Sequence, residues 1–329
     1  MALDYESRLC QQQEQYATGA EIHGLPKIFH YWANRYISPC IQQVFDTTSI
    51  TEIYARPLAR ILDVGGGRPR KFVSIGSGDC SEEVKIAKRL LELGHSNFVI
   101  VGLEVAHKLI GEANEAIGRE GLAKHITSEF FDVNRDAIDG AVDAFIAHHS
   151  LHHIVELERM FDLIDQTLST DGHFVSCDMI GRNGHMRWPE TLRYVEAIWA
   201  NLPEVKKYNW QFRQCHHQFV NWDCSREGFE GIRAQDILPL ILQRFSLDGF
   251  VGCGGIIDPF VDRGYGPNFD AANALDRDFI DLVAIANDAM LDAGQIKPTM
   301  MFADMVRKRS GVAPRVVGRR TPEFCVRYP

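Results

Sequence analysis

Hydrophobic and polar positions in the middle of the chain repeat in two alternating patterns. Segments with apolar residues three and four positions apart, such as residues 84–93, predict amphipathic helices. Between them lie short runs rich in β-branched and aromatic residues, which predict buried strands. Strands that alternate with helices in this way indicate an α/β fold, a mostly parallel sheet with helices on both faces. The predicted strands span residues 71–75, 97–105, 126–133, 142–150 and 173–180.

Two glycine turns follow apolar runs, and each is a candidate cofactor site. Such a site needs a buried strand, a glycine turn and a helix whose N-terminal amides face the ligand. The run ILDVGGG (61–67) continues into Arg-Pro-Arg-Lys without a helical pattern, so we interpret it as a lead-in segment. The turn GSGDC (76–80) has all three parts, and Ser81 is the predicted N-cap of its helix.

Acidic residues end the second and third predicted strands. An acid at the tip of the second strand accepts hydrogen bonds from ribose hydroxyls, both in NAD enzymes and in methyltransferases that use S-adenosylmethionine. Two details favour S-adenosylmethionine. Ser81 is a poor match to the dinucleotide fingerprint, and Asp79 would repel a pyrophosphate but attract a sulfonium and an ammonium group. The predicted cofactor-binding residues are Gly76, Ser77, Gly78, Asp79, Glu104 and Asp132.

Composition limits the partners of the protein. The net charge of −9 over 329 residues argues against nucleic acid, whose phosphates select a basic surface. No apolar run approaches the roughly 18 residues of a membrane span, and the N-terminus lacks a signal-peptide pattern. Eight cysteines without a CxxC pair are typical of reduced cytoplasmic thiols. We therefore expect a cytoplasmic protein that acts on a small molecule, with a homodimer as the oligomeric state to consider.

Four histidines follow one another closely at the end of the fourth strand: His148, His149, His152 and His153. The pairs four positions apart would share a helix face if the next helix began early. A metal site would need a further histidine or carboxylate, and Glu156 is the only acid near in sequence, so no metal is expected. Burial with hydrogen bonds to the backbone is a second interpretation. The third is general base catalysis, for which His153 is the first choice and His152 the second.

The fifth strand and the loop after it supply the other candidate residues. Asp178 ends this strand and is predicted to orient a histidine, to bind an acceptor hydroxyl or to cap the loop. The loop GRNGHMRWPE (181–190) combines aromatic, basic and amide side chains. This composition fits an acceptor pocket and a purely structural contact equally well, and both interpretations stay open. The predicted substrate-binding residues are Arg182, Asn183, His185, Arg187 and Trp188.

The two ends of the chain differ from its centre. Residues 29–45 have helical periodicity with aromatic residues on one side, which predicts either core packing or a lid over the cofactor, with Tyr31 or Arg35 near its carboxylate. Residues 307–329 carry seven basic residues against one acid, and we interpret them as a solvated basic tail.

The order of these motifs resembles the class I S-adenosylmethionine-dependent methyltransferases. The resemblance rests on SIGSGDCSEE, GLEV, FFDV, FIAHHSLHHIVELE and LSTDGHFVSCDMI, over roughly residues 70–180. It implies a Rossmann-like, seven-stranded, mostly parallel sheet with an antiparallel last strand. The final antiparallel hairpin is expected to consist of residues 245–257 and residues 297–307. By the same resemblance, His148 or His149 lines the cofactor, while His152 or His153 faces the acceptor. The flanking segments HYWANRYISP, NWDCSREGFEGIRAQDILP and DPFVDRGYGPNFD are similar to bacterial methyltransferases of small molecules or sugars.

These observations predict an N-terminal helical lid (1–60), a methyltransferase domain (61–306) with a cap inserted at about 181–235, and a basic C-terminal tail (307–329). The expected reaction is methyl transfer from S-adenosylmethionine to oxygen or nitrogen of a small polar acceptor, with sugars and secondary metabolites as examples. Two alternatives stay open: an NAD(P)-dependent oxidoreductase on the same kind of sheet, and a protein that binds S-adenosylmethionine without catalysis.

Overall fold

A central sheet of eight strands organises the protein, seen in a computed structural model that describes residues 5–17, 24–64, 67–226, 228–309, 311 and 313–328. The order of the strands is β10-β8-β9-β5-β4-β1-β2-β3. Strands β1 to β5 are mutually parallel where they pair. Their bounds are β1 (Arg70–Ile75), β2 (Phe98–Glu104), β3 (Ile126–Phe130), β4 (Val142–His148) and β5 (Leu168–Met179).

The far side of the sheet contains the predicted hairpin. Strand β8 (Phe245–Cys253) pairs antiparallel with β9 (Met300–Arg307), and β9 pairs antiparallel with β5. The α/β fold with a mostly parallel sheet is thus confirmed. The predicted number of seven strands is wrong, because β10 (Arg315–Val316) pairs in parallel with the outer edge of β8. A strand at that edge covers backbone groups that would otherwise lie open.

Helices cover both faces of the sheet, as the alternation of the sequence predicts. Neighbouring strand residues point to opposite faces, so Phe72 belongs to one buried core and Val73 to the other. The first core contains side chains of α4 (Ile50–Asp63), α5 (Ser81–Glu92), α6 (His107–Arg119) and α11 (Ala274–Asp292). The second contains side chains of α7 (Leu157–Thr167) and α9 (Ala234–Arg244).

The helices formed by residues 27–45 pack into the first core. Residues 29–45 fold into α2 (Lys27–Trp32), a π-helical turn (Ala33–Ile37) and α3 (Ser38–Phe45), whose apolar side chains join the first core. Tyr31 donates to Asp281 of α11 at 3.0 Å, and Arg35 lies 3.3 Å from the same carboxylate. Residues 29–45 thus show the predicted core packing, and the N-terminal lid over the cofactor stays a prediction. Residues 1–4 and 18–23 of the expected lid lie outside the described residues, and α1 (Tyr5–Ala17) is considered below.

The glycine run at 61–67 does not follow a strand. Its first three residues end α4, while Gly65 and Gly66 lie outside the described residues. Ile61 of this run lies on the buried face of α4. Val64, just after the helix, is exposed.

The C-terminal segment is docked on the protein instead of being solvated. Arg320 is buried and reaches Asp292 at 2.6 Å and Asp288 at 3.4 Å, both on α11. Arg327 donates to Glu190 at 2.8 Å. The expectation of a solvated tail is wrong because its arginines neutralise acids of the folded body. Residues Pro322–Cys325 form the short helix α12.

A long segment separates β5 from α9. It contains a 3-10 turn (Asn183–His185), helix α8 (Pro189–Ala200) and a small hairpin of β6 (Tyr208–Asn209) and β7 (Gln214–Cys215). Helix α10 (Asp258–Val261) follows β8. Of the helices that the structure describes, none is both long and apolar enough to cross a membrane.

Candidate active site

The turn after β1 has the conformation that glycine permits. Gly76 and Gly78 have φ angles of 62° and 56°, and the first of these is exposed. A Cβ atom on Gly76 would lie 2.7 Å from Cβ of Ser150, just beyond the end of β4. Only glycine therefore lets this turn approach the tip of the neighbouring strand so closely. Buried Ser77 Oγ has no hydrogen-bond partner among the described residues, so the turn keeps a free polar atom.

Asp79 is hydrogen-bonded to the first residue of the helix that follows the turn. Its carboxylate accepts from the backbone N–H of Ser81 at 3.0 Å and from the Ser81 hydroxyl at 2.5 Å. The predicted N-cap, Ser81, is instead the first residue of α5, and Cys80 precedes it with a φ of 58°. The prediction placed the cap one residue too late because the left-handed Cys80 turns the chain before the helix begins.

Glu104 connects the turn to the second strand. Its Oε2 accepts from the N–H of Gly78 at 3.0 Å, and its Oε1 accepts from Val105 and Ala106 at 2.8 and 2.9 Å. Burial raises the pKa of this carboxyl group, and the three backbone donors counteract the rise. A carboxylate has about four acceptor positions, so Oε2 retains capacity for one further donor.

Asp132 lies at the next strand tip, under the N-terminal helix. Its two oxygens accept from the hydroxyl of Tyr5, each at 2.8 Å. The guanidinium of Arg135 lies over the Tyr5 ring at 4.4 Å. Burial, followed by the hydrogen bond to Asp132, raises the pKa of Tyr5, which keeps the phenol protonated as a donor. Sequence reasoning missed Tyr5, because one tyrosine in a polar N-terminal segment carries no signal of its own.

The whole of α1 lies across these strand tips. Gln13 donates to the carbonyl oxygen of Val105 at 3.2 Å, just after β2. Arg8 donates to the carbonyl oxygens of Ser225 and Gly228 in the segment between β5 and α9. Helix α1 thus bridges the predicted cofactor side of the site and the inserted segment.

The four histidines do not share a helix. His148 ends β4, His149 has a φ of 51°, and Leu151–His153 form a 3-10 turn. The expected pairing of histidines on one helix face is therefore wrong. The cause is Asp178, which accepts from the N–H groups of Ser150 and Leu151 at 2.9 and 2.7 Å and holds the chain out of a regular helix.

The first two histidines occupy different environments. Nδ1 of His148 lies 2.9 Å from the hydroxyl of buried Tyr54, which comes from α4. His149 is exposed at the strand tip, and its Nε2 lies 3.7 Å from Sγ of Cys177. Of the two residues predicted to line the cofactor, His149 is therefore the more accessible.

His152 and Asp178 form a buried pair. Nδ1 of His152 lies 2.6 Å from Oδ1 of Asp178, and both side chains are almost completely buried. Burial alone would lower the pKa of His152, but the carboxylates of Asp178 and Glu230 outweigh it and raise the pKa to about 10. Burial would raise the pKa of Asp178, but the imidazolium lowers it to about 2. This geometry assigns both residues to positioning and does not suit a free general base.

Glu230 gathers three imidazoles that are separated in sequence. Its Oε1 lies 2.6 Å from Nε2 of His185 and 3.5 Å from Nε2 of His152, and its Oε2 lies 3.6 Å from Nε2 of His153. Burial and the positive charge of His152 lower the pKa of His153 to about 4. Sequence reasoning missed Glu230, because no local spacing relates it to the histidines.

Contacts within the loop and with other segments hold the other predicted substrate residues in place. Arg187 is buried, pairs with Asp258 and donates to the His185 carbonyl oxygen at 2.8 Å. Trp188 is buried between two guanidinium groups, those of Arg182 at 5.8 Å and Arg327 at 4.6 Å from its ring centre. Asn183 forms a reciprocal pair of hydrogen bonds with Gln235 at 3.2 Å. Of the predicted set, His185 is the residue that the structure brings to the histidine cluster.

A cavity of about 300 Å³ lies at the opposite end of the strands. It adjoins the amino end of β1 and the start of β5, and none of the predicted cofactor-binding, catalytic or substrate-binding residues lines it. Ligands of such sheets bind at the carboxyl ends of the strands, so we place the active site there, under α1. The cavity is lined by Arg60, Ile61, Val64, Arg70, Ser169, Thr170, Asp171 and His173.

A family comparison matches the central part of the chain. Residues 74–176, from β1 to β5, match the family described as "Methyltransferase domain". This central part of the chain is therefore similar to methyltransferase domains. A comparison with curated proteins found no match.

Several solved methyltransferase structures are similar at low identity. A Galdieria sulphuraria protein assigned provisionally as a sarcosine dimethylglycine methyltransferase is 14% identical, over 78% of this chain and 84% of its own, with a TM-score of 0.45. The StiE O-MT is 14% identical over 79% of this chain and 75% of its own, with a TM-score of 0.44. The geranyl diphosphate C-methyltransferase of Streptomyces coelicolor is 14% identical over 78% of this chain and 83% of its own, with a TM-score of 0.42. Because these TM-scores are below 0.5, we draw nothing about the acceptor from them.

Proposed function

We propose that this protein is a methyltransferase that transfers the methyl group of S-adenosylmethionine to a hydroxyl oxygen or an amine nitrogen of a small polar acceptor. The bound cofactor supplies a methyl group activated by its sulfonium charge. The observation that carries the proposal is the hydrogen bond from Gly78 to Glu104, because it joins the glycine turn and the strand-tip acid into one binding surface.

The cofactor residues have separate tasks in this proposal. The remaining acceptor capacity of Glu104 Oε2 suits a ribose hydroxyl. Asp132, at the neighbouring tip, suits the adenine end, where Tyr5 and α1 cover it. Asp79 lies beside the turn and supplies negative charge on the side of the sulfonium and ammonium groups. Gly76, Ser77 and His149 form the surface between these acids.

The acceptor side consists of the segment after β4 and the inserted loops. His152 has both ring nitrogens directed at carboxylates, so it holds the cluster in place. His153 and His185 have Nδ1 atoms that are buried and lack partners among the described residues. A polar, enclosed surface of this kind suits an acceptor with several hydroxyl or amine groups, which is the basis for proposing sugars or related metabolites.

Calorimetric titration with S-adenosylhomocysteine and, separately, NADH tests the proposal. We expect the first ligand to bind and NADH to leave the protein unchanged. Glu104→Gln should weaken S-adenosylhomocysteine at least tenfold, whereas Glu129→Gln, an exposed acid on β3, should not. Binding of NADH alone would favour the oxidoreductase alternative. If S-adenosylhomocysteine binds but no methyl transfer is found over a broad acceptor panel, the non-catalytic alternative is favoured.

A further inference from the structure

The histidine cluster has the composition of a transition-metal site. Nitrogen donors from His152 and His153 and an oxygen donor from Glu230 all lie within 4.8 Å of one another. His185 adds a third imidazole, 2.6 Å from Oε1 of Glu230. The expectation of no metal rested on Glu156 as the only near acid. The fold supplies the missing histidine and carboxylate from residues distant in sequence.

Two of the distances suit ligands of one ion better than direct hydrogen bonds. Nitrogen–oxygen hydrogen bonds measure about 2.7–3.2 Å. The Glu230 oxygens lie 3.5 Å from His152 Nε2 and 3.6 Å from His153 Nε2. Ligands at about 2.0–2.2 Å from a tetrahedral zinc ion are about 3.3–3.6 Å apart. The shorter contact of His185 is a hydrogen bond, which an ion would replace by a slight outward movement of the ring.

A second layer of contacts orients the first imidazole. His152 directs Nδ1 at Asp178, which leaves Nε2 facing Glu230. Metal-binding histidines characteristically donate their other ring nitrogen to a carboxylate in this way. Asp178 is itself fixed by the N–H groups of Ser150, Leu151 and Met179.

The backbone segments around Gly184 and Gly231 approach each other closely beside the cluster. Gly184 donates to the carbonyl oxygen of Gly231 at 2.8 Å, and a Cβ atom on Gly231 would lie 3.1 Å from Cε1 of His185. His185 has a φ of 55°, an uncommon conformation for a residue with a side chain. Ile232 donates to the carbonyl oxygen of His152 at 3.0 Å, which joins the loop to the 3-10 turn. Strain of this kind is concentrated at functional sites.

We propose that His152, His153 and Glu230, with His185 as a fourth ligand, bind one divalent transition-metal ion. Imidazole-rich sites suit zinc, cobalt, nickel and copper, whereas magnesium and calcium prefer oxygen ligands. The role of the ion rests on the proposed function: an acceptor hydroxyl that joined the four protein ligands as a fifth would lose its proton to solvent more easily, and its oxygen would take the methyl group as S-adenosylhomocysteine leaves. Metal binding itself does not depend on that role.

Metal titration of the full chain tests the inference. After removal of bound metal with a chelator, Co²⁺ should bind with one ion per chain and give the visible absorption of four-coordinate cobalt, and Zn²⁺ should displace it. Glu230→Gln and His153→Ala should abolish this spectrum. Asp178→Asn should weaken binding by about 10–100-fold, as expected for a group that orients a ligand.

The control is a second cluster of metal-binding side chains, Glu204, Cys215 and His217, which is fully exposed. His217→Ala should leave the cobalt spectrum unchanged. Absence of binding to the wild type, or binding that survives both ligand variants, would overturn the inference, as would loss of the signal in His217→Ala. Circular dichroism of each variant separates loss of ligands from unfolding.

S-adenosylhomocysteine binding is measured in parallel. If this binding persists without metal binding, the inference alone fails. If it is lost while cobalt binds, the proposed function fails.

Discussion

The hydroxyl of Tyr5 donates to the carboxylate of Asp132 at 2.8 Å and so ties the first helix to the tip of the third strand. The two residues are 127 positions apart. Helix α1 also contacts Val105 and Gly228, so it covers the edge of the sheet where the cofactor is proposed to bind. A ligand that enters this edge must therefore displace or open α1.

Removal of the Tyr5 hydroxyl should make cofactor exchange faster. A hydrogen bond of this kind contributes about 1 kcal/mol, which is about fivefold in a rate. We expect Tyr5→Phe to increase both the association and the dissociation rate of S-adenosylhomocysteine by about that factor, measured by surface plasmon resonance. Tyr328→Phe, at an exposed tyrosine near the C-terminus, is the control. Equal rates in Tyr5→Phe and wild type would show that α1 does not gate the site.

Glu83 should make the protein less stable as the pH rises through neutrality. This residue of α5 is buried against Ser74, and burial raises its pKa to about 7 from an ordinary value of 4.5. Between these values the folded state retains a proton that the unfolded state has lost, so the free energy of unfolding falls with increasing pH, by at most about 3 kcal/mol.

Urea unfolding between pH 5 and pH 8 measures this effect. The decline should be much smaller in Glu83→Gln, while Glu92→Gln, at an exposed acid of the same helix, should follow the wild type. A Glu83→Gln profile parallel to that of the wild type would show that Glu83 does not ionise in this range.

Arg187 should stabilise the fold more than it binds an acceptor. Its guanidinium is buried against Asp258, and the loss of one partner of a buried ion pair costs about 3–5 kcal/mol. We expect Arg187→Met to lower the free energy of unfolding by about 3 kcal/mol, whereas Arg193→Met, at an exposed arginine of α8, changes it by less than about 0.5 kcal/mol. Chemical denaturation gives both values. A stable Arg187→Met protein with selectively lost acceptor binding would restore the role predicted from the sequence.

The docked C-terminal segment should depend on a single arginine. Arg320 is buried with Asp292 and Asp288, whereas its neighbour Arg319 is exposed and lies over Phe324. Arg320→Gln should release the segment and lower the free energy of unfolding by about 2 kcal/mol, while Arg319→Gln should have little effect. Tryptic cleavage after residue 307 measures the release. If both variants are cleaved equally slowly, the ion pairs do not hold the segment.

Local patterns predicted the parts of this protein that depend on neighbours in sequence. The alternation of strands and helices, the GSGDC turn and the acids at the strand ends follow from periods of a few residues and from glycine stereochemistry. Cys80 marks the limit of this approach, because it occupies the N-cap position of α5 in a left-handed conformation, one residue before the predicted cap.

The parts that could not be predicted depend on pairs of residues distant in sequence. Glu230 meets His152 and His153 because the segment after β5 folds back over the strand tips. Tyr5 meets Asp132 because α1 crosses the same edge. Arg320 finds its acids on α11, so a charge count along the tail could not distinguish a docked segment from a solvated one.

The most direct test of the account is a crystal structure of the protein with S-adenosylhomocysteine. We predict density for the nucleoside beside Glu104 and Asp132, with the amino-acid portion near Gly76 and Asp79. The alternative location is the cavity of about 300 Å³ lined by Ile61, Val64 and His173, next to the other glycine run. Density in that cavity, with the GSGDC turn empty, would contradict the assignment of the cofactor site.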